Sequence, residues 1–200
     1  MSVIGAAVLI LTAIPIDAHD MSGLETDLFR LVNELPGALY GAVWPAMQFG
    51  NAIAVAVFAL TALLARRARL AIAIAVSGLA VWLLAKVIKV LVERGRPAEL
   101  LDDVIRRDAP RVGHGYPSGH AAVAMAIAVV VSPYLNRPWK YLLWTLAVVV
   151  CLGRVYVGAH LPLDVIGGAA FGLAVGALCN LVLGVPDRSG TDTNAAQDDR

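Results

Sequence analysis

Residues 161–185 read Leu-Pro-Leu-Asp-Val-Ile-Gly-Gly-Ala-Ala-Phe-Gly-Leu-Ala-Val-Gly-Ala-Leu-Cys-Asn-Leu-Val-Leu-Gly-Val, and after Asp164 the stretch carries no charge. A helix of about 20 apolar residues crosses a bilayer core, where no water is present to satisfy an open backbone. The rest of the chain is of the same kind. Of its 200 residues 59% are hydrophobic and 16% charged, and the mean hydropathy is +0.74. Soluble domains average about 45–50% apolar and about 25% charged residues. The composition excludes a disordered chain, a collagen-like fibre and a disulfide scaffold, since Cys151 and Cys179 both sit in apolar runs. A net charge of +1 points to no nucleic-acid partner. The chain reads as a polytopic membrane protein.

Six apolar runs are candidate spans: Val3–Ile16, Val43–Leu64, Leu70–Val92, Ala121–Leu135, Tyr141–Gly158 and Leu161–Val185. Strand-type alternation is absent, so the expected fold class is all-α, with about six transmembrane helices. The first run is short enough for a signal peptide but has no Lys or Arg before it, and is read as a retained span. In the second, Pro45, Gln48 and Asn51 mark the first turns. Between the first two spans, Leu24, Leu28, Leu31 and Leu35 recur at helical spacing among acids, which predicts a short helix in the interface. Residues 1–186 are expected to form one membrane domain and residues 187–200 a disordered polar tail.

Charge places the loops. Arg66, Arg67 and Arg69 follow the second span, and Arg137 and Lys140 follow the fourth, so both loops are expected in the cytoplasm, with the C-terminus. The Glu93–Pro117 loop then faces outward although it holds Arg94, Arg96, Arg106, Arg107 and Arg111, with five acids. Arginines on that side call for another reason than orientation.

Three clusters gather on the outer side. Lys89 precedes Arg96-Pro97, and the helix carrying Lys89 should end before Arg96. Alternatively Lys86 and Lys89 snorkel to the surface, with Lys89 pairing to Glu93. Pro117-Ser118-Gly119-His120 stands before an apolar helix, with Ser118 as its N-cap and its free amides as an anion site, or as a capped helix with an interfacial histidine and no more. In Arg154-Val-Tyr-Val-Gly-Ala-His160-Leu-Pro-Leu-Asp164, a helical turn would stack His160 on Asp164. That carboxylate fixes the imidazole tautomer, or the two form a structural pair. Three permanent cations, a helix start and two histidines at one surface suit a phosphate, whose transfer needs positioning and electrostatic stabilisation.

The order Lys89, six residues, Arg96-Pro97; Pro117-Ser-Gly-His120; Arg154, five residues, His160, three residues, Asp164 resembles the type 2 phosphatidic acid phosphatase superfamily over about residues 20–185. Membrane lipid phosphatases, bacterial undecaprenyl diphosphate phosphatases and soluble vanadium haloperoxidases belong to that family. The resemblance implies that His160 attacks phosphorus and forms a phosphohistidine, oriented by Asp164. His120 would protonate the leaving group and later help to activate water. Lys89, Arg96, Arg154, Ser118 and the Gly119 amide would hold the non-bridging oxygens. The family's third motif usually opens Ser-Arg, whereas Gly153 precedes Arg154 here.

The expected function is therefore hydrolysis of a lipid phosphate or diphosphate at the outer face of a cell membrane, with no metal or other cofactor. A phosphotransferase on the same lipids, or a non-catalytic anionic-lipid binding or transport protein, are the alternatives. A haloperoxidase is a poorer fit, because those enzymes are soluble and larger. The family pattern does not require His19 or His114, which read as loop residues. Gly168, Gly172 and Gly176 form a small-residue stripe that packs helices within the chain or makes a homodimer. Trp44, Trp82, Trp139 and Trp144 read as interfacial or packing residues.

Overall fold

The apolar runs fold as helices, and no strand occurs among residues 2–13 and 21–185, which the computed structural model describes. The elements are α1 Ser2–Ala13, α2 Gly23–Asn33, α3 Tyr40–Met47, α4 Ala52–Leu64, α5 Ala68–Val92, α6 Pro97–Leu100, α7 Gly119–Val131, α8 Arg137–Tyr156 and α9 Pro162–Leu183. His19 and the 187–200 tail lie outside the described residues.

The helix at the centre is α7. Every residue from Ala121 to Val131 is buried, and α5, α8 and α9 pack around it. Its alanine and valine side chains are small enough for neighbours on all sides. The Gly168, Gly172 and Gly176 stripe of α9 lies against α7, where an added Cβ would meet the backbone oxygens of Ser118, Ala122 and Ala126. The stripe is thus used inside the chain, and the homodimer expected as its alternative has no support. On its other side α9 carries α1, with Gly5 against Ala170 and Ala174.

Among the described residues, fewer than six helices have the length and apolarity of a full span. Three helices are long and apolar enough to cross a membrane: α5 with its continuation to Leu100, α8 and α9. A bent pair, Gly37–Gly50 followed by α4, makes up to four. The run Val43–Leu64 breaks because the Asn51 side chain accepts from Ala54 N and starts a new helix, turning the chain by 63°. With 13 residues α7 is about 20 Å long, short of the ~30 Å hydrocarbon core. A helix enclosed by protein need not match the lipid. With 12 residues α1 is shorter still.

The leucines of α2 divide as the spacing predicts. Leu24, Leu28, Leu31 and Leu35 are exposed, while Glu25, Phe29 and Asn33 are buried on the opposite face. The Asn33 amide donates to the Ile105 and Tyr156 carbonyls and accepts from Ile105 N, so α2 is tied to both the outer loop and the end of α8. Arg107 secures the same corner. It donates to the Asn33, Leu35 and Tyr156 carbonyls and stacks on the Tyr156 ring at 4.1 Å. Part of the arginine surplus of the Glu93–Pro117 loop is therefore structural.

Candidate active site

The three sequence clusters meet where α5, α7 and α8 end or begin. Glu93 takes a left-handed conformation (φ 50°) and closes α5, and Arg96 then sits extended before Pro97, as the Arg-Pro pair predicts. The Lys89 side chain does not pair with Glu93. Its Nζ donates instead to the carbonyls of His114 at 2.7 Å and Gly115 at 3.1 Å. The His114 backbone is thus part of the site while its imidazole stays exposed. Arg96 Nη1 donates to the Ala159 carbonyl at 2.9 Å, beside His160.

Ser118 occupies the N-cap position of α7, but its hydroxyl caps nothing. Its backbone N–H donates instead to the Asp164 carbonyl at 2.9 Å, joining the second cluster to the third. His160 lies in the loop between α8 and α9 rather than on a helical turn. Asp164 is the third residue of α9, and its Oδ2 accepts from Leu161 N at 2.9 Å and lies 3.5 Å from His160 Nδ1. The Gly115 carbonyl also faces this ring. With Asp164 Oδ2 at 3.5 Å from Nδ1, the proton of a neutral ring belongs on Nδ1, and Nε2 keeps its lone pair.

Among the described residues, buried side-chain atoms without a hydrogen-bond partner are Arg94 Nε, Arg96 Nε, Ser118 Oγ, Arg154 Nε and His160 Nδ1. Native interiors pair nearly all such groups; the Arg96, Arg154 and Ser118 atoms are donors able to bond an anion, while His160 Nδ1 lies beside Asp164. Burial first, and then the charges of Arg154, Lys89 and Arg96, hold the His160 pKa well below its ordinary 6.5. The neutral form of a group depressed in this way persists as pH falls through 6.5. In ¹⁵N spectra of histidine-labelled protein, His160 should remain neutral at pH 6; a protonated ring at that pH would contradict this electrostatic picture.

Two residues of the site escape the sequence motifs. Arg94, 1% exposed, donates from Nη1 to Asp164 Oδ1 at 3.0 Å. Its two terminal nitrogens also grip Glu25 of α2, at 3.1 Å to Oε1 and 2.6 Å to Oε2. Glu25 Oε1 accepts from Leu163 N at 3.0 Å as well. Asp164 therefore finds its charged partner in an arginine that the sequence showed only as one of five in the outer loop.

An apolar groove of about 630 Å³ leads away from this cluster between α4, α5 and α7. Lys89, Gly119 and His120 line its upper end, and Ala52, Ala56, Ala59, Ala75 and Gly78 line its length. Lys86 also borders it, its ammonium 3.4 Å from the Trp82 ring centre. From Lys89 to Ala75 along α5 is about 21 Å at the helical rise of about 1.5 Å per residue.

The sequence profile of the PAP2 superfamily matches residues 68–185, a span that contains all three clusters. The chain belongs to the PAP2 superfamily. It is 30% identical over 154 residues to an undecaprenyl-diphosphatase of Sulfolobus acidocaldarius, covering 75% of this chain and 74% of that one. Its fold resembles that of LpxE from Aquifex aeolicus, with a TM-score of 0.74 and 26% identity over 82% of this chain and 98% of that one. A transmembrane PAP2-type phosphatidylglycerolphosphate phosphatase of Bacillus subtilis shares the fold, with a TM-score of 0.74 and 19% identity over 90% of this chain and 95% of the other. Glu25 lies outside the span that the PAP2 profile matches.

The departure from the PAP2 third motif has a packing reason. A Cβ at Gly153 would stand 2.9 Å from Val43 Cγ1 and 3.0 Å from Met47 Cγ, both on α3. Glycine lets α3 lie directly on α8, and Met47 Sδ in turn sits 4.0 Å from Arg154 Nη1. A serine would push α3 away and disturb Arg154. Gly153→Ser should destabilise the protein by about 1–3 kcal/mol, the range for overpacking, and raise KM. Unchanged melting and kinetics would show that α3 yields without consequence.

Proposed function

We propose that the chain is a membrane lipid phosphatase that hydrolyses a lipid phosphate or diphosphate through a phosphohistidine at His160. What supports this reading is the joining of the three clusters by hydrogen bonds, with Lys89, Gly119 and His120 at the end of the apolar groove. A headgroup phosphate would meet the donors while the tail lies along the groove. The resemblance to the undecaprenyl-diphosphatase supports a polyprenyl diphosphate as the first substrate to try.

In the first step the Nε2 lone pair of His160 forms the N–P bond as the P–O bond to the leaving group breaks. His120, which lines the groove, gives its proton to the departing oxygen, so the lipid leaves on the tail side. Lys89, Arg96, Arg154, Ser118 and the Gly119 amide hold the non-bridging oxygens and stabilise the charge that builds on them. In the second step water attacks phosphorus, its proton passes to His120, and the N–P bond breaks to release inorganic phosphate. Dividing the reaction replaces one difficult displacement by two easier ones. The membrane domain takes up residues 1–186 in about six spans, with the bent Gly37–Leu64 pair as one and α1 and α7 as two short ones. The basic turns before α5 and α8 face the cytoplasm, along with the C-terminus, which puts the site on the extracytoplasmic side.

The test is release of inorganic phosphate from detergent-solubilised lipid phosphates and diphosphates with EDTA present. Turnover that survives EDTA supports the reading, and binding without turnover would make the chain a lipid-binding protein. The groove is tested separately. Ala56→Trp should raise KM several-fold for a long-chain lipid and leave a short-chain soluble phosphate ester unaffected. Equal effects on both would remove the tail from the groove.

A further inference from the structure

Asp164 carries one negative charge and has two claimants for it, Arg94 at 3.0 Å and the His160 ring at 3.5 Å. An arginine so close and so buried would by itself neutralise the carboxylate. On its far side, however, Arg94 is held by both oxygens of Glu25, which is itself 5% exposed. Resting on the phosphohistidine reading above, we propose that Glu25 is a positioning residue that balances Arg94, so that the charge of Asp164 stays available to His160.

The charges count as follows. Glu25 and Asp164 contribute two negatives and Arg94 one positive, so the buried set keeps a net charge of −1 beside the imidazole. Attack through Nε2 on a ring that retains its Nδ1 proton makes that ring a cation. It forms among Lys89, Arg96 and Arg154, which all disfavour a positive ring. The net −1 of the buried set opposes them on the Nδ1 side, together with the Gly115 carbonyl. Without Glu25 the set is neutral, and the ring loses that share of its counter-charge at the step where the positive charge develops.

Geometry adds a second effect. Glu25 Oε1 accepts from Leu163 N, in the first turn of the helix that carries Asp164. Phe29 and Asn33 hold α2 in place one and two turns further on, and Ser22 Oγ caps its start by accepting from Glu25 N. A third buried charge beyond a satisfied Arg–Asp pair carries a desolvation penalty, so mere support would be met as well by a neutral side chain. The third charge is what a charge-balancing role requires and a brace does not.

The two roles are separated by Glu25→Gln, Glu25→Gln/Arg94→Gln and the wild type, each checked for a monodisperse profile in detergent. The readouts are phosphate release from a polyprenyl diphosphate and affinity for inorganic vanadate, a mimic of pentavalent phosphorus. Charge balance predicts that Glu25→Gln lowers kcat at least about tenfold with KM little changed, and weakens vanadate to a similar degree. It also predicts that the double variant, whose buried set again carries −1, recovers much of both losses. A Glu25→Gln protein within about twofold of wild type overturns the proposal. So does a double variant no better than the single one, whether from lost activity or failed folding. Wild-type turnover reports on the proposed function alone, whereas vanadate affinity compares the variants without turnover.

Discussion

Replacing His160 with alanine is expected to lower phosphate release by at least about 10³-fold, to the level that bound cations alone can sustain. His160 has Nδ1 beside Asp164 Oδ2 at 3.5 Å, which leaves the Nε2 lone pair for attack. The substitution should leave KM within a few-fold, because Lys89 and Arg96 are held by the carbonyls of His114, Gly115 and Ala159 and not by the ring. The backbone bond from His160 N to the Arg154 carbonyl survives in the variant, so the loop keeps its course. Phosphate release by the purified variant in detergent checks the prediction. An alanine variant within tenfold of wild type would mean that another group attacks phosphorus.

The second large effect is on stability. Arg94→Gln leaves the carboxylates of Glu25 and Asp164 buried together without a cation, and losing one member of a buried ion set costs on the order of 3–5 kcal/mol. A thermal melt in detergent should show this as a marked fall in Tm, with activity lost in parallel. The Arg94 and Glu25 charges leave together in the double variant described above, which should melt closer to wild type than Arg94→Gln alone. If Arg94→Gln melts with the wild type, water or rearrangement satisfies the carboxylates, and the buried set is not what holds α2 to α9.

The sequence exposed some parts of this site and hid others for a physical reason. Lys89, Arg96, Ser118, His120, Arg154, His160 and Asp164 fall at or near the ends of apolar runs, where local pattern marks them as candidates and the family motifs join them. Arg94 and Glu25 are buried, but the pair is 69 residues apart in the chain, and Arg94 is 70 from Asp164. No local periodicity records such a contact. Glu25 was visible only as an acid on a helix with a leucine stripe, and the stripe correctly named the opposite face.

Fold legibility divides along the same line. The apolar runs mark where helices lie, but hydropathy does not report where a run breaks. Asn51 could be seen as a polar residue near the start of the second run, yet hydropathy did not show that its side chain caps a new helix after a 63° turn. α7 begins just after Pro117 and gives way to a 3-10 turn at Ser132-Pro133, and its enclosure by α5, α8 and α9 is what the run of apolar residues does not report. Gly153 shows the converse case. Measured against the family motif it looked like a lost hydroxyl, and it is a contact surface for Val43 and Met47.

The central claim is the covalent intermediate. The wild type should be mixed with a lipid diphosphate labelled in its terminal phosphate, quenched within one turnover in alkali, and digested for peptide mapping. The account predicts an alkali-stable, acid-labile label on the peptide containing His160, absent from His160→Ala. Rapid phosphate release with no label on the protein, or a label on His120 instead, would contradict it.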